Sequence, residues 1–155
     1  MNPVVFQALV AMDAYNRGLR QGVKTGVSRL GNAVVLENSD QLLNEARANT
    51  GFIATSYFWN RQQVISFRGT DPESFSEFTK DVTYGCPLGA GNNSADQAQQ
   101  AIEFYKNVVG VNSLSDSPIT SVILTGHSRG GGLAGFMASL TNQSNSSAIV
   151  SGRQD

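Results

Sequence analysis

The chain has 155 residues, 40% of them hydrophobic and 15% charged, with a net charge of −1 and an isoelectric point near 5.8. That length is one domain able to bury a real core, and the balance is globular rather than disordered. It supplies no basic stripe for nucleic acid, no apolar run of the roughly 18 residues a membrane span needs, and one cysteine, Cys86, which excludes a disulfide framework and a cysteine-rich zinc site.

Asn2-Pro3 reads as a helix N-cap followed by proline at the first helical position. Val5, Leu9 and Met12 recur at helical spacing and predict a helix over residues 3–15. The start of the chain lacks a basic region and a cleavage site, so no N-terminal secretory signal is expected. Four glycines between Arg17 and Gly31 predict a loop, Ala33–Leu36 a short strand, and Ser39-Asp40 the cap of a short helix through Ala48. Phe52–Trp59 and Gln63–Phe67 are β-rich runs separated by Asn60-Arg61-Gln62, which predicts a hairpin.

Thr70–Asn93 is punctuated by glycine and proline, with a short helix expected near Ser74–Phe78. It lies where a lid would be, but its Phe75, Phe78 and Tyr84 read as core contacts and Cys86 as an incidental thiol. Ser94 with Gln97 is a capping box. Ala98, Ala101, Ile102, Tyr105 and Val108 continue it as an amphipathic helix closed by Gly110. A loop over Ser113–Pro118 leads to an apolar strand over Ile119–Thr125. A helix over Gly131–Leu140 follows, with Leu133, Phe136, Met137 and Leu140 as its apolar stripe. A polar loop and a short strand candidate, Ala148–Val150, come last. The order gives an α/β layout with a partly parallel sheet.

Between the last long strand and the last long helix stands Gly126-His127-Ser128-Arg129-Gly130. This is a G-x-S-x-G nucleophile elbow in the strand–turn–helix context it requires. Ser128 is the candidate nucleophile. Gly126 and Gly130 let the flanking backbones pass, and His127 reads as elbow packing rather than as a base, because neighbouring side chains diverge at such a turn. The Arg129 N–H opens the helix and is the candidate first oxyanion donor. Upstream, Val64-Ile65-Ser66-Phe67-Arg68-Gly69-Thr70 ends a β-run in Arg-Gly-Thr, where Thr70 is placed to supply a second donor.

Phe67-Arg68-Gly69-Thr70 followed by Thr125-Gly126-His127-Ser128-Arg129-Gly130-Gly131 resembles the class 3, fungal-type lipase family. Ala11–Gly18, Gly85–Asn92 and Gly130–Gly135 are similar to a bacterial branch whose members often carry downstream calcium-binding repeats. The resemblance covers nearly the whole chain. It implies an incomplete α/β-hydrolase fold, hydrolysis of lipid-like carboxylic esters with transient contact to a lipid interface, no cofactor or metal, and secretion of the full-length protein. It also implies Ser128 as nucleophile and Thr70 with Arg129 as the oxyanion hole. Relatives usually have leucine where this chain has Arg129, whose side chain is expected to meet solvent or a nearby acid.

The family's triad places an aspartate and then a histidine after the serine. Here His127 is the chain's one histidine, and Asp155 the one carboxylate side chain after Ser128. The chain is therefore expected to be the N-terminal portion of a longer enzyme, nearly inactive alone. The alternative is a non-catalytic relative that binds lipid or a partner protein.

Overall fold

The computed structural model describes residues 2–19, 29–39, 51–69, 93–116 and 122–141. Sequence expectations on the helix after Ser39, the Thr70–Asn93 segment with Phe75, Phe78, Tyr84 and Cys86, the strand at Ala148 and the terminal Asp155 lie outside the described residues.

The first helix, α1 (Pro3–Leu19), is longer than its periodicity predicts. Its start follows the expected cap: the Val4 N–H donates to Asn2 Oδ1 at 2.9 Å. The next elements are β1 (Arg29–Leu30), β2 (Ala33–Asn38), β3 (Ala54–Trp59) and β4 (Gln62–Phe67), an antiparallel meander. Trp59 pairs with Gln62, so the hairpin turn is the two residues Asn60-Arg61. Both have positive φ, 49° and 64°, the geometry that matches strand twist in a two-residue turn. Asparagine tolerates it, whereas arginine carries a Cβ penalty. Arg61→Gly is expected to raise unfolding stability by about 0.5–1 kcal/mol, read from the urea midpoint.

The second helix, α2 (Asn93–Val109), ends as expected at Gly110, φ 77°. The Gly110 and Val111 N–H groups both donate to the Lys106 carbonyl, at 2.9 and 3.0 Å. After a 3-10 turn (Leu114–Asp116), β5 (Val122–Gly126) runs parallel to β4, and α3 (Arg129–Thr141) closes the described chain.

The strand order is β1-β2-β3-β4-β5. Alternation along β4 and β5 sends residues to two cores. Ile65, Phe67, Val122 and Leu124 pack with Phe104 and Tyr105 of α2 and Leu133 and Met137 of α3. Val64 and Ile123, with Tyr57 and Trp59 of β3, pack against Phe6 and Val10 of α1. Phe6 stacks on Trp59 with ring centroids 4.0 Å apart.

Towards the end of β4, the α1 side of the sheet turns polar. Ser66 Oγ donates to the Val10 carbonyl at 3.0 Å, and Tyr57 Oη donates to Asp13 Oδ2 at 2.8 Å. Tyr57→Phe removes a buried hydrogen bond to a carboxylate and is expected to cost about 1.5–3 kcal/mol in a urea melt.

The expected α/β-hydrolase fold is corrected here. Among the described residues the chain forms a small five-stranded mixed sheet with three helices, in which β4 and β5 pair in parallel and β1 to β4 pair antiparallel. The strand–turn–helix signal at residues 119–140 reports one local junction, and a junction does not specify the sheet around it. The loop reading of residues 17–31 also missed β1, whose two residues are too few for a period-2 signal.

Candidate functional site

The elbow is built by the end of β5, the end of β4 and the first turn of α3. Gly126 ends β5 in parallel register with Phe67. His127 extends the strand by one residue, Ser128 turns the chain at φ 56°, and α3 begins at Arg129. A non-glycine residue with positive φ is strained by roughly 1–2 kcal/mol. Here the surrounding bonds over-determine it. The Gly130 N–H donates to the His127 carbonyl at 3.0 Å, and the Ser128 carbonyl accepts from Gly131 and Gly132 at 2.9 and 3.3 Å.

The two elbow glycines are required by contact. A Cβ at Gly130 would overlap the Phe67 carbonyl oxygen and stand 2.7 Å from Phe67 C and 2.9 Å from Arg68 C. A Cβ at Gly126 would overlap the Gly130 carbonyl and stand 2.8 Å from Phe67 O. Backbone therefore rests on backbone, and no side-chain rotation relieves the overlap. The sequence marks these glycines as a close approach, but the surface they approach, the Phe67-Arg68 peptide, carries no local sign of it. Arg68 is itself fixed: its N–H donates to the Ile53 carbonyl at 2.8 Å and its Nη2 to the Gly51 carbonyl at 3.2 Å.

Ser128 is half-buried, as is His127. Arg129 is 2% exposed, so its guanidinium is not in solvent, against that half of the sequence expectation. It is engaged within the fold, as a buried cation must be. Just below the elbow on β5, Thr125 Oγ1 is buried with no hydrogen-bond partner among the described residues. Thr70, the expected second oxyanion donor, lies outside the described residues. The described part of its segment, Arg68-Gly69, leaves directly from the contact with Gly130. Among the described residues no group of His, Cys, Asp and Glu side chains is gathered around a metal position.

The junction thus holds a serine at a sharp, strained turn, with the first amides of a helix behind it and the end of a second strand beside it. That arrangement suits attack on a carbonyl whose oxygen becomes negatively charged.

A family model described as Mbeg1-like matches residues 25–151, a span that contains the five described strands and the elbow. This overturns the resemblance to the class 3 lipases: the matching family is another one. The Gly126–Gly130 part of that resemblance reflects the steric demands of a tight strand-to-helix turn, which select such residues whatever the family. No curated protein and no solved structure matches the chain.

Proposed function

The chain belongs to the Mbeg1-like family, whose name prescribes no chemistry, and we propose from the elbow that it is a serine carboxylic-ester hydrolase. The observation that carries this reading is Ser128 held at φ 56° between β5 and α3. Strain of this kind at a strand-to-helix turn clusters at active sites.

In the proposed reaction Ser128 Oγ bonds to the ester carbonyl carbon, its proton passes to a base, and the alcohol leaves to give an acyl-serine that water then cleaves. The Arg129 N–H stabilises the oxyanion, and one such donor is worth about 3 kcal/mol of barrier. Thr70 serves as the second donor. It follows Arg68-Gly69 in the chain, and the Arg68 end of that segment meets Gly130. His127 packs the elbow, and its adjacency to Ser128 argues against service as the base.

The test is acylation by p-nitrophenyl acetate, followed by mass spectrometry of the peptide containing Ser128, with and without added imidazole as an external base. The expected result is a slow acetyl adduct on Ser128 that imidazole accelerates, absent from Ser128→Ala. Failure to acylate Ser128 under both conditions would overturn the reading in favour of a non-catalytic binding protein.

A further inference from the structure

Helix α1 carries two apolar faces, and the sheet uses one. Phe6, Val10 and Ala14 are buried, with Phe6 and Val10 in the core over β3, β4 and β5. Val4, Val5, Leu9 and Met12 lie outside that packing and are 67%, 51%, 38% and 65% exposed. No charge interrupts this ridge. Between residues 2 and 14 the one ionisable side chain is Asp13, which is buried and accepts the hydrogen bond from Tyr57. A helix resting on a globular core normally turns charged and polar residues outward.

We propose that this ridge docks the protein on a neutral lipid surface that presents the ester substrate. The lipid-ester substrate class rests on the ester-hydrolase reading above, whereas the docking stands on the helix alone.

The size of the ridge argues against a second copy as its occupant. Among the described residues the ridge exposes on the order of 400 Å², within the range of functional surface patches but about half of what each partner buries in a stable complex. Chemistry points the same way. Without lysine or arginine the ridge gains nothing from anionic headgroups, so its affinity must come from apolar side chains entering the acyl boundary.

Placement completes the argument. Phe6 stacks on Trp59, and Val10 meets Ser66, the residue before Phe67, which pairs with Gly126. The helix therefore advances along the sheet toward the elbow end, with Met12 on the ridge beyond Val10. A surface that receives this ridge lies alongside the strands that carry Ser128.

The experiment is flotation with phosphatidylcholine vesicles, using the wild type, Ser128→Ala, the double variant Val5→Lys/Met12→Lys, and Gln99→Lys on exposed α2 as a control. Wild type, Ser128→Ala and Gln99→Lys should float alike, with little dependence on salt. The double variant should bind at least about tenfold more weakly while keeping its urea midpoint, because both positions are exposed. Equal flotation by Ser128→Ala supports docking even if no acyl-serine is ever trapped, so the two readings fail separately. Absence of wild-type flotation would overturn the proposal, as would flotation undiminished in the double variant. A dimer in analytical ultracentrifugation that the double variant abolishes would overturn it too, by assigning the ridge to a second copy.

Discussion

Replacing Gly130 with alanine is expected to cost about 3 kcal/mol or more of folding stability and to remove any Ser128-dependent acylation with it. The new Cβ would overlap the Phe67 carbonyl oxygen and stand within 3 Å of two further backbone carbons. Overpacking costs about 1–3 kcal/mol when side chains can yield. Here the neighbour is the backbone of a buried strand, paired on both sides by β3 and β5, so the cost lies at or above the top of that range. In a urea melt this is a fall of roughly 1–3 M in midpoint. Gly135 is the internal control. It lies in the same helix, is exposed, and a Cβ there meets nothing within 4 Å. Gly135→Ala is expected to stabilise by up to about 1 kcal/mol. A similar response at both positions would show that the elbow contact is looser than its geometry states.

The second large effect separates chemistry from strain at Ser128. Ser128→Ala and Ser128→Gly both delete the hydroxyl, and both are expected to abolish the acyl adduct and all serine-dependent ester turnover. Their stabilities should diverge. Alanine keeps the Cβ that φ 56° penalises, whereas glycine removes it. Ser128→Gly is therefore expected to exceed Ser128→Ala by about 1–2 kcal/mol in unfolding free energy. A glycine variant more stable than wild type would show the fold sustaining a cost for an active hydroxyl. Acylation that survives in either variant would refute the assignment of the nucleophile, and equal stabilities would refute the strain.

Legibility in the sequence followed the range of the forces involved. The elbow was readable because its constraint is local: a turn this tight admits little but glycine at 126 and 130. The hairpin at Asn60-Arg61 and the helix stop at Gly110 were readable for the same reason. The helix α1 was readable as a helix, but its spacing does not say which face is buried. Val5, Leu9 and Met12 repeat at the right spacing, but so do Phe6, Val10 and Ala14, and the second set is buried. Periodicity detects a stripe, and when a helix carries two, only the sheet decides which is used. The sheet itself is the least local object in the chain, and the expected α/β-hydrolase fold failed there. The lipase resemblance failed as well, since the family model that matches over residues 25–151 is of another family. The buried side chain of Arg129 was likewise invisible, because its surroundings come from elsewhere in the fold.

The parallel pairing of β4 with β5 also sets an order of events as the chain folds. The meander from β1 to β4 closes through neighbouring strands and, at Asn60-Arg61, through a two-residue turn. Val122 must instead find Gln63 about 60 positions earlier in the chain, and a closure that long is slow relative to hairpin formation. The seam that seats Gly130 against Phe67 is thus completed late. Until it is, the turn that carries Ser128 lacks the strand end of β4 that backs it. A nascent or partly refolded chain should then show a protected meander in pulse-labelled amide exchange well before Ser128 becomes reactive.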